Sequence, residues 1–332
     1  LEDLLSIPPA QVLETLADLD SDLLVLGAGG KMGPSLAHMA ARALKESESP
    51  YRVIAVARFT QAGLRERLEA WEVAAVVCDL LDRTAVEALP ETRNIIFMAG
   101  QKFGTTGTPD ITWAMNSVVP VLVANRFRGV RMVTFSTGNV YPLTPVTHGG
   151  ADESQVAEPV GEYANSCLGR ERVFEFFSRR HGTKCAIMRL NYAIELRYGI
   201  LLDIARAVQT GSAIDLSMGA VNGIWQGDAN AQALGLLAHA ATPPFTLNVT
   251  GPEIASVRWI AHRFGDLLGS EPIFSGEEAP TALLSNAARA HRLFGYPTVS
   301  LLQLIEWTAA WVREQGPVLD KPTGFQKRDG RF

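Results

Sequence analysis

Cysteine is scarce in this 332-residue chain. The three present, Cys78, Cys167 and Cys185, are odd in number, too few for a disulfide framework, and stand in no close Cys/His spacing that would read as a zinc site. No metal is expected, and a reducing cytoplasm is the expected compartment. An excess of either charge is also missing. The 30 Lys and Arg against 35 Asp and Glu leave a formal net charge of -5, with no broad field to draw in a phosphate backbone. Nucleic acid is therefore not an expected partner, and any anion site must be local. No apolar run approaches the roughly 20 residues of a membrane helix. The opening LEDLLSIPPAQVLETLADLD is acidic and helix-like, unlike a secretory leader. It starts with Leu instead of Met, so a trimmed chain is expected. Internal repeats and low-complexity stretches are lacking too. What is left, at 47% hydrophobic and 20% charged residues, is the composition of an ordinary globular protein with length for one large domain or two closely joined ones.

From Asp22 to Leu190 short apolar runs alternate with longer periodic ones, the pattern of a parallel sheet whose crossovers are helices. Strands are predicted at 23–26, 52–57, 74–78, 94–98, 130–135 and 184–190, with helices near 31–46, 61–70, 84–89, 110–128 and 160–180. This is an α/β fold with a doubly wound parallel sheet of six strands. Residues 1–20 read as an N-terminal helical extension. Beyond 190 the rhythm loosens: 215–217 and 246–249 look like strands, and 200–210, 228–241, 256–269 and 300–315 like helices. A smaller C-terminal substrate-binding lobe is expected over 191–316, with some strands and helices returning to the main domain. The polar stretch 317–332, broken by Pro and Gly, is expected to be a flexible tail.

The first strand runs directly into Gly27-Ala28-Gly29-Gly30-Lys31-Met32-Gly33, which opens a helix. Glycine at 27, 30 and 33 permits a tight turn, close approach of backbone to a pyrophosphate, and close contact of helix with strand, and the anion would rest on the helix N-terminus. Glycine-rich turns are common as mere turns. This one follows a strand, precedes a helix and begins a βαβ series, which marks 21–190 as a dinucleotide-binding domain. An NAD site usually ends the second strand with Asp or Glu for the ribose 2′-hydroxyl, whereas an NADP site offers Arg to the 2′-phosphate. Ala57 and Arg58 stand there, so NADP is preferred, with NAD as the alternative and a solvated Arg as the bland reading. Asp79, before Leu80 at the end of the third strand, could accept from the adenine amine. Met98, Ala99 and Gly100 end the fourth strand with small residues where the cofactor backbone must pass. Lys102 reads as a pyrophosphate contact or as an exposed loop lysine.

These elements continue in order: MAGQKFG at 98–104, Asn116 in the fourth helix, FSTGNVYP at 135–142, YANSC from Tyr163, RLNYA at 189–193, IWQGDANAQAL at 224–234 and FTLNVTGPE at 245–253. Together they resemble the extended short-chain dehydrogenase/reductase superfamily, the NAD-dependent epimerase/dehydratase group that holds UDP-galactose 4-epimerase and the nucleotide-sugar dehydratases. The resemblance spans nearly the whole chain. It implies a Rossmann fold and an NAD(P) cofactor, held by Gly27, Gly29, Gly30, Lys31, Met32, Gly33, Arg58, Asp79, Leu80, Met98, Ala99, Gly100, Lys102, Asn116, Tyr163 and Asn191. For catalysis it implies a Ser or Thr at the end of the fifth strand, a Tyr acid/base and a Lys four residues later. Counting back from Val140-Tyr141 gives the hydroxyl role to Thr137, and the acid/base falls on Tyr163. Hydride transfer at a carbinol needs matching proton transfer on its oxygen, and a phenol with an ordinary pKa of ~10 is only about 0.1% ionised at neutral pH. A nearby ammonium and the nicotinamide charge bring it into range.

The chain departs from the family at that lysine, where Cys167 stands. A neutral thiol supplies neither the charge nor the donors. If the lysine lowers the phenol's pKa by about two to three, its loss costs roughly 3–4 kcal/mol, or on the order of 10²–10³ in active base. Arg170, Arg197 or a substrate-borne charge are candidate replacements. Cys167 as a nucleophile is the weaker reading, because a mid-helix thiol lacks a helix N-terminus and a neighbouring histidine; a small buried residue is the blander one. His38, His148, His181, His239, His262 and His291 are scattered without ligand spacing. Tyr141 and Tyr192 read as packing near the cleft.

The segment after the sixth strand is short, so a free sugar, sugar acid or other polyol is expected in preference to a nucleotide sugar. Tyr192, Arg197 and Trp225 are candidate pocket residues, with Asn191 beside them and Gln101 and Asn139 as further polar contacts. Helices 110–128 and 160–180 correspond to the pair through which this superfamily often dimerises, so a homodimer is expected. Two functions stay open: an NAD(P)-dependent oxidoreductase or epimerase acting on a sugar-like secondary alcohol or carbonyl, and a dinucleotide-binding protein with weak or no turnover.

Overall fold

The computed structural model describes residues 1–102, 104–321 and 323–331. Phe103 of the MAGQKFG motif and Pro322 and Phe332 of the C-terminal stretch lie outside them. Two compact units emerge. The first takes 1–137, 162–189 and 230–247; the second takes 138–161, 190–229 and 248–332.

The first unit is built on strands β1 (Leu23–Leu26), β2 (Val53–Ala57), β3 (Ala74–Val77), β4 (Asn94–Phe97), β5 (Arg131–Thr137), β6 (Lys184–Leu190) and β7 (Phe245–Val249). They form one parallel sheet in the order β7-β6-β5-β4-β1-β2-β3. The central strands LLVL, VIAVA and NIIF are buried at every position, as strands covered on both faces must be. β1 pairs with β2 on one side and β4 on the other, with Leu23 opposite both Val53 and Asn94. The winding reverses there, which is where open α/β sheets place ligands.

Helices α1 (Glu2–Leu5) and α2 (Ala10–Ala17) form the N-terminal extension, burying Leu5, Val12 and Leu16. The crossovers are α3 (Gly33–Glu46), α4 (Leu64–Ala70), α5 (Arg83–Glu87), α6 (Pro109–Trp113), α7 (Val119–Arg126) and α8 (Gly161–His181). The Asp82 side chain starts α5 by accepting from the Thr84 and Ala85 amides. The expected continuous helix over 110–128 is interrupted. Residues Ala114–Val118 make one π-helical turn between α6 and α7, and Asn116 within it is buried. The core of the unit lies between sheet and helices, with Phe97 of β4 edge-on to Phe174 of α8 at 5.1 Å.

Seven strands replace the six expected. The seventh is the 246–249 strand, which lies within the 191–316 stretch expected to send some strands and helices back to the main domain; residues 230–247 belong to the first unit. In the second unit three helices, Ile200–Thr210, Val257–Leu268 and Leu301–Arg313, pack on one another beside several two-stranded ribbons. The C-terminal stretch, expected to be free, is tied into this unit. Thr323 donates from both its amide and its hydroxyl to Asp203, Phe325 is buried, and Arg328 reaches the carbonyls of Ser217 and Thr281 at 2.9 and 2.7 Å. Among the described residues no helix is long and apolar enough to cross a membrane.

Candidate active site

A cleft of about 240 Å³ opens in the first unit at the carboxyl ends of the central strands. Gly27, Gly29 and Gly30 line it after β1, Ala57 and Arg58 at the end of β2, Cys78, Asp79 and Leu80 after β3, and Met98, Ala99 and Gly100 after β4. Two of the glycines are mechanically required. Gly27 adopts φ +87°, and a Cβ there would lie 2.5 Å from the Ala99 amide; a Cβ on Gly33 would lie 2.3 Å from the Ala28 carbonyl oxygen. No side chain caps the start of α3, and Pro34 occupies its first turn. The cradle thus presents backbone and small residues, and fits the pyrophosphate and adenosine of a dinucleotide.

Arg58 is exposed at the cleft edge and makes no hydrogen bond or ion pair among the described residues. Asp79 is exposed, with one carboxylate oxygen accepting from the Leu81 amide at 3.0 Å. Lys31, Met32 and Gly33, which the resemblance counts as cofactor contacts, belong to the turn and helix start but not to the cleft lining. Phe59, Thr60, Gln61 and Leu64 also wall the cleft beyond β2, as does Met115 in the π-turn, and none of them is expected from the sequence. The polar run Arg58-Phe59-Thr60-Gln61 at a strand end was the available signal.

Thr137 ends β5 and is buried; Tyr163 lies half-buried in the first turn of α8. The two side chains are joined by a hydrogen bond, and the phenol makes another with the Cys167 thiol one helical turn later. Burial pushes the Tyr163 phenol well above its ordinary value, and Cys167 adds to the rise. The Arg170 guanidinium and the Thr137 hydrogen bond pull the other way. Burial raises the Cys167 thiol as well, with Glu171 adding to the rise and Arg170, Tyr163 and Lys102 opposing it, which favours the neutral thiol.

Lys102 stands over the Tyr163 ring, its Nζ 5.7 Å from the centroid, and does not line the cleft. Asn116, expected to touch cofactor, is instead fully engaged by protein. Its Oδ1 accepts from the Gln101 amide at 3.0 Å and from Arg170 Nη2, while its Nδ2 donates to the Gln101 carbonyl and to Ser166 Oγ, both at 2.9 Å. With all four valences used, Asn116 holds Gln101, Ser166 and Arg170 in place. Beneath them Glu171 is fully buried, takes Ser136 Oγ at 2.5 Å and is bridged by Arg189 at 3.0 and 2.7 Å.

The remaining candidates lie in the second unit. Asn191 is buried and donates to Asn222 Oδ1 at 2.8 Å. Tyr192 is half-buried at φ +45°, a left-handed conformation, with its phenol pushed up by burial. Arg197 pairs with the buried Glu195 at 2.9 Å. Asn139 is half-buried in a 3₁₀ turn. Trp225, expected on a pocket wall, is a core residue: it is 3% exposed and packs edge-on to Trp307 at 5.5 Å. Tyr141 is also buried, its hydroxyl donating to Asn248 Oδ1 at 2.9 Å.

No protein-family model matches the chain, and no curated protein sequence does. Solved structures do match. UDP-glucose 4-epimerase of Thermus thermophilus, in complex with NAD, is similar at a TM-score of 0.73 and 19% identity, over 88% of this chain and 99% of that one. UDP-glucose 4-epimerase of Thermotoga maritima with UDP-glucose follows at 0.72 and 17%, over 89% and 99%. UDP-glucuronic acid 4-epimerase from Bacillus cereus, in complex with NAD, gives 0.71 and 18% over the same shares. The Rossmann-like α/β fold is common to all of them.

Proposed function

We propose that this protein is an NAD(P)-dependent oxidoreductase or epimerase acting on a secondary alcohol or carbonyl of a sugar-like small molecule. The observation that carries this is the coexistence, in one unit, of a glycine-lined cleft at the sheet's switch point and a Tyr163–Thr137 hydrogen-bonded pair. A bound oxidised nicotinamide supplies a hydride acceptor. Tyr163, in its phenolate form, would take the proton from the carbinol oxygen, becoming the neutral phenol, and return it when the carbonyl is reduced, while Thr137 holds that oxygen and the phenol in line. Solved proteins of this fold carry NAD and UDP-sugars. The substrate class therefore includes sugar nucleotides as well as the smaller sugars and polyols suggested by the short segment after β6. Arg58, untied at the cleft edge, favours NADP; two of the structural neighbours named above, from Thermus thermophilus and Bacillus cereus, are complexes with NAD.

A second reading, a dinucleotide-binding protein with weak or no turnover, is favoured by one observation: the position one turn after Tyr163 holds a buried neutral thiol. The two are separated by incubating the protein with each dinucleotide and a panel of sugars, sugar acids and UDP-sugars, and following nicotinamide absorbance and product stereochemistry. Turnover abolished by Tyr163→Phe supports the enzyme; tight dinucleotide binding with no turnover on any panel member supports the second reading. Assembly as a homodimer through helices 110–128 and 160–180 fits the exposure of Val118 and Phe176, and sedimentation of the purified protein tests it. Three unpaired, buried cysteines fit the reducing cytoplasm.

A further inference from the structure

Tyr163, Cys167 and Arg170 follow one another at i, i+4 and i+7 along α8 and so share one face of the helix. Arg170 is buried, and a buried guanidinium is normally matched by a carboxylate. Arg189 obeys that rule through Glu171. Arg170 does not. Its Nη1 donates to the Phe135 carbonyl at 2.8 Å and its Nη2 to Asn116 Oδ1, its Nε has no acceptor, and among the described residues it forms no ion pair. Its guanidinium also sits 5.9 Å from the centre of the Phe97 ring. Residue 100 leaves the space it needs, since a Cβ on Gly100 would lie 2.3 Å from Nη2. Gly100 also lines the cleft. A fixed, uncompensated positive charge thus stands directly behind the cleft wall, on the helix face that carries Tyr163.

We propose that Arg170 is the positioning charge of this site, a guanidinium that stabilises the Tyr163 phenolate in place of an ammonium at position 167; this rests on the reading of Tyr163 as acid/base. A buried cation left unmatched in the resting protein is stabilised once an anion forms nearby, and the developing phenolate is that anion. The same charge opposes the effect of burial on both Tyr163 and Cys167. Other charged or titratable groups around the phenol are accounted for. Cys167 stays neutral, Glu171 is taken by Arg189 and Ser136, and Lys102 reaches the Tyr163 ring from a half-buried connecting segment, whereas Arg170 is anchored to the β5 backbone.

The test reads the phenol itself. The full chain, labelled with carbon-13 at tyrosine Cζ and loaded with oxidised dinucleotide, is titrated by NMR, with the Tyr163 signal assigned through Tyr163→Phe. Arg170→Met is expected to reduce the phenolate fraction of Tyr163 at a given pH by about tenfold or more, equivalent to roughly one pKa unit. Arg170→Lys, which keeps the charge, is expected to stay near wild type, and Lys102→Met to move it less than Arg170→Met does. An Arg170→Met titration that overlays wild type, or a larger effect from Lys102→Met, overturns the proposal. Should Arg170→Met not fold, the wild-type protein decides alone: a loaded Tyr163 that ionises no more readily than free tyrosine, at ~10, overturns it too. Because ionisation is read without turnover, failure here leaves the role of Tyr163 to be judged by Tyr163→Phe kinetics, and the two failures stay distinct.

Discussion

The two ends of the site in the first unit are built from different materials. Around Gly27, Gly30 and Gly33 the work is done by backbone: a positive φ, bare Cα atoms and an uncapped helix start. Around Tyr163 it is done by side chains, in a buried network that joins Thr137, Cys167, Arg170, Asn116 and Gln101. Backbone geometry has one solution, so that end follows the pattern of dinucleotide folds closely. An electrostatic field has many, because a charge can be delivered from any position that points the right way. On the proposal above, the charge that position 167 lacks comes instead from Arg170, one turn further along the helix.

The sharpest way to break this contrast is at the phenol. Tyr163→Phe is expected to lower turnover by about 10²–10⁴-fold while changing dinucleotide affinity less than twofold; steady-state kinetics beside a binding titration check both. Next comes the matched charge that sets off the unmatched one. Glu171→Ala removes the carboxylate that bridges the buried Arg189, and is expected to cost about 3–5 kcal/mol in chemical unfolding. At the glycine end, Gly27→Ala forces a side chain into a positive-φ turn against Ala99, strain of order 1–3 kcal/mol. Dinucleotide affinity should fall by roughly 10–100-fold, with little change in the Tyr163 titration of whatever protein is loaded. Arg58→Ala is expected to weaken NADP by about tenfold, as loss of one charge-assisted contact would, and NAD hardly at all; equal losses would remove Arg58 from cofactor choice.

The smallest effect is in the pH dependence of folding. Burial raises the Tyr163 phenol in the folded chain, so the stability linked to it is fully present below the unfolded value of ~10 and is lost as pH rises from there through the folded pKa. Tyr163→Phe should give a shallower alkaline decline in the thermal transition, modestly so, because Tyr192 and Tyr198 are raised by burial in the same direction.

What was legible in the residues follows the same division. The turn at 27–33, the apolar runs of β1, β2 and β4 and the long helix carrying Tyr163 are local patterns, and the structure places each within a few residues of its expected bounds. Sheet membership of 246–249 was not readable, since which edge a strand joins is set by the path of the chain and not by its own alternation. The π-turn at Ala114–Val118 has no signature in its own residues; Pro120 just after it, with no amide to donate, was the one local sign of a break. The reason for glycine at 100 lies seventy residues away in the Arg170 side chain, a contact that no local spacing encodes. Asn116, expected as a cofactor contact, is bonded to Gln101, Ser166 and Arg170, partners that no local spacing encodes. The 317–332 stretch reads as tail by composition, yet Thr323, Phe325 and Arg328 each find a partner or a buried place in the second unit.

The most direct measurement is a single-turnover experiment. Protein loaded with oxidised dinucleotide is mixed with each member of the sugar and UDP-sugar panel, and reduction of the bound nicotinamide is followed for wild type and Tyr163→Phe. Reduction by at least one sugar-like alcohol in wild type, lost in Tyr163→Phe at equal dinucleotide occupancy, is the expected result. Reduction at the same rate in both proteins, or none in wild type with any member, would contradict a hydride-transfer site built on Tyr163.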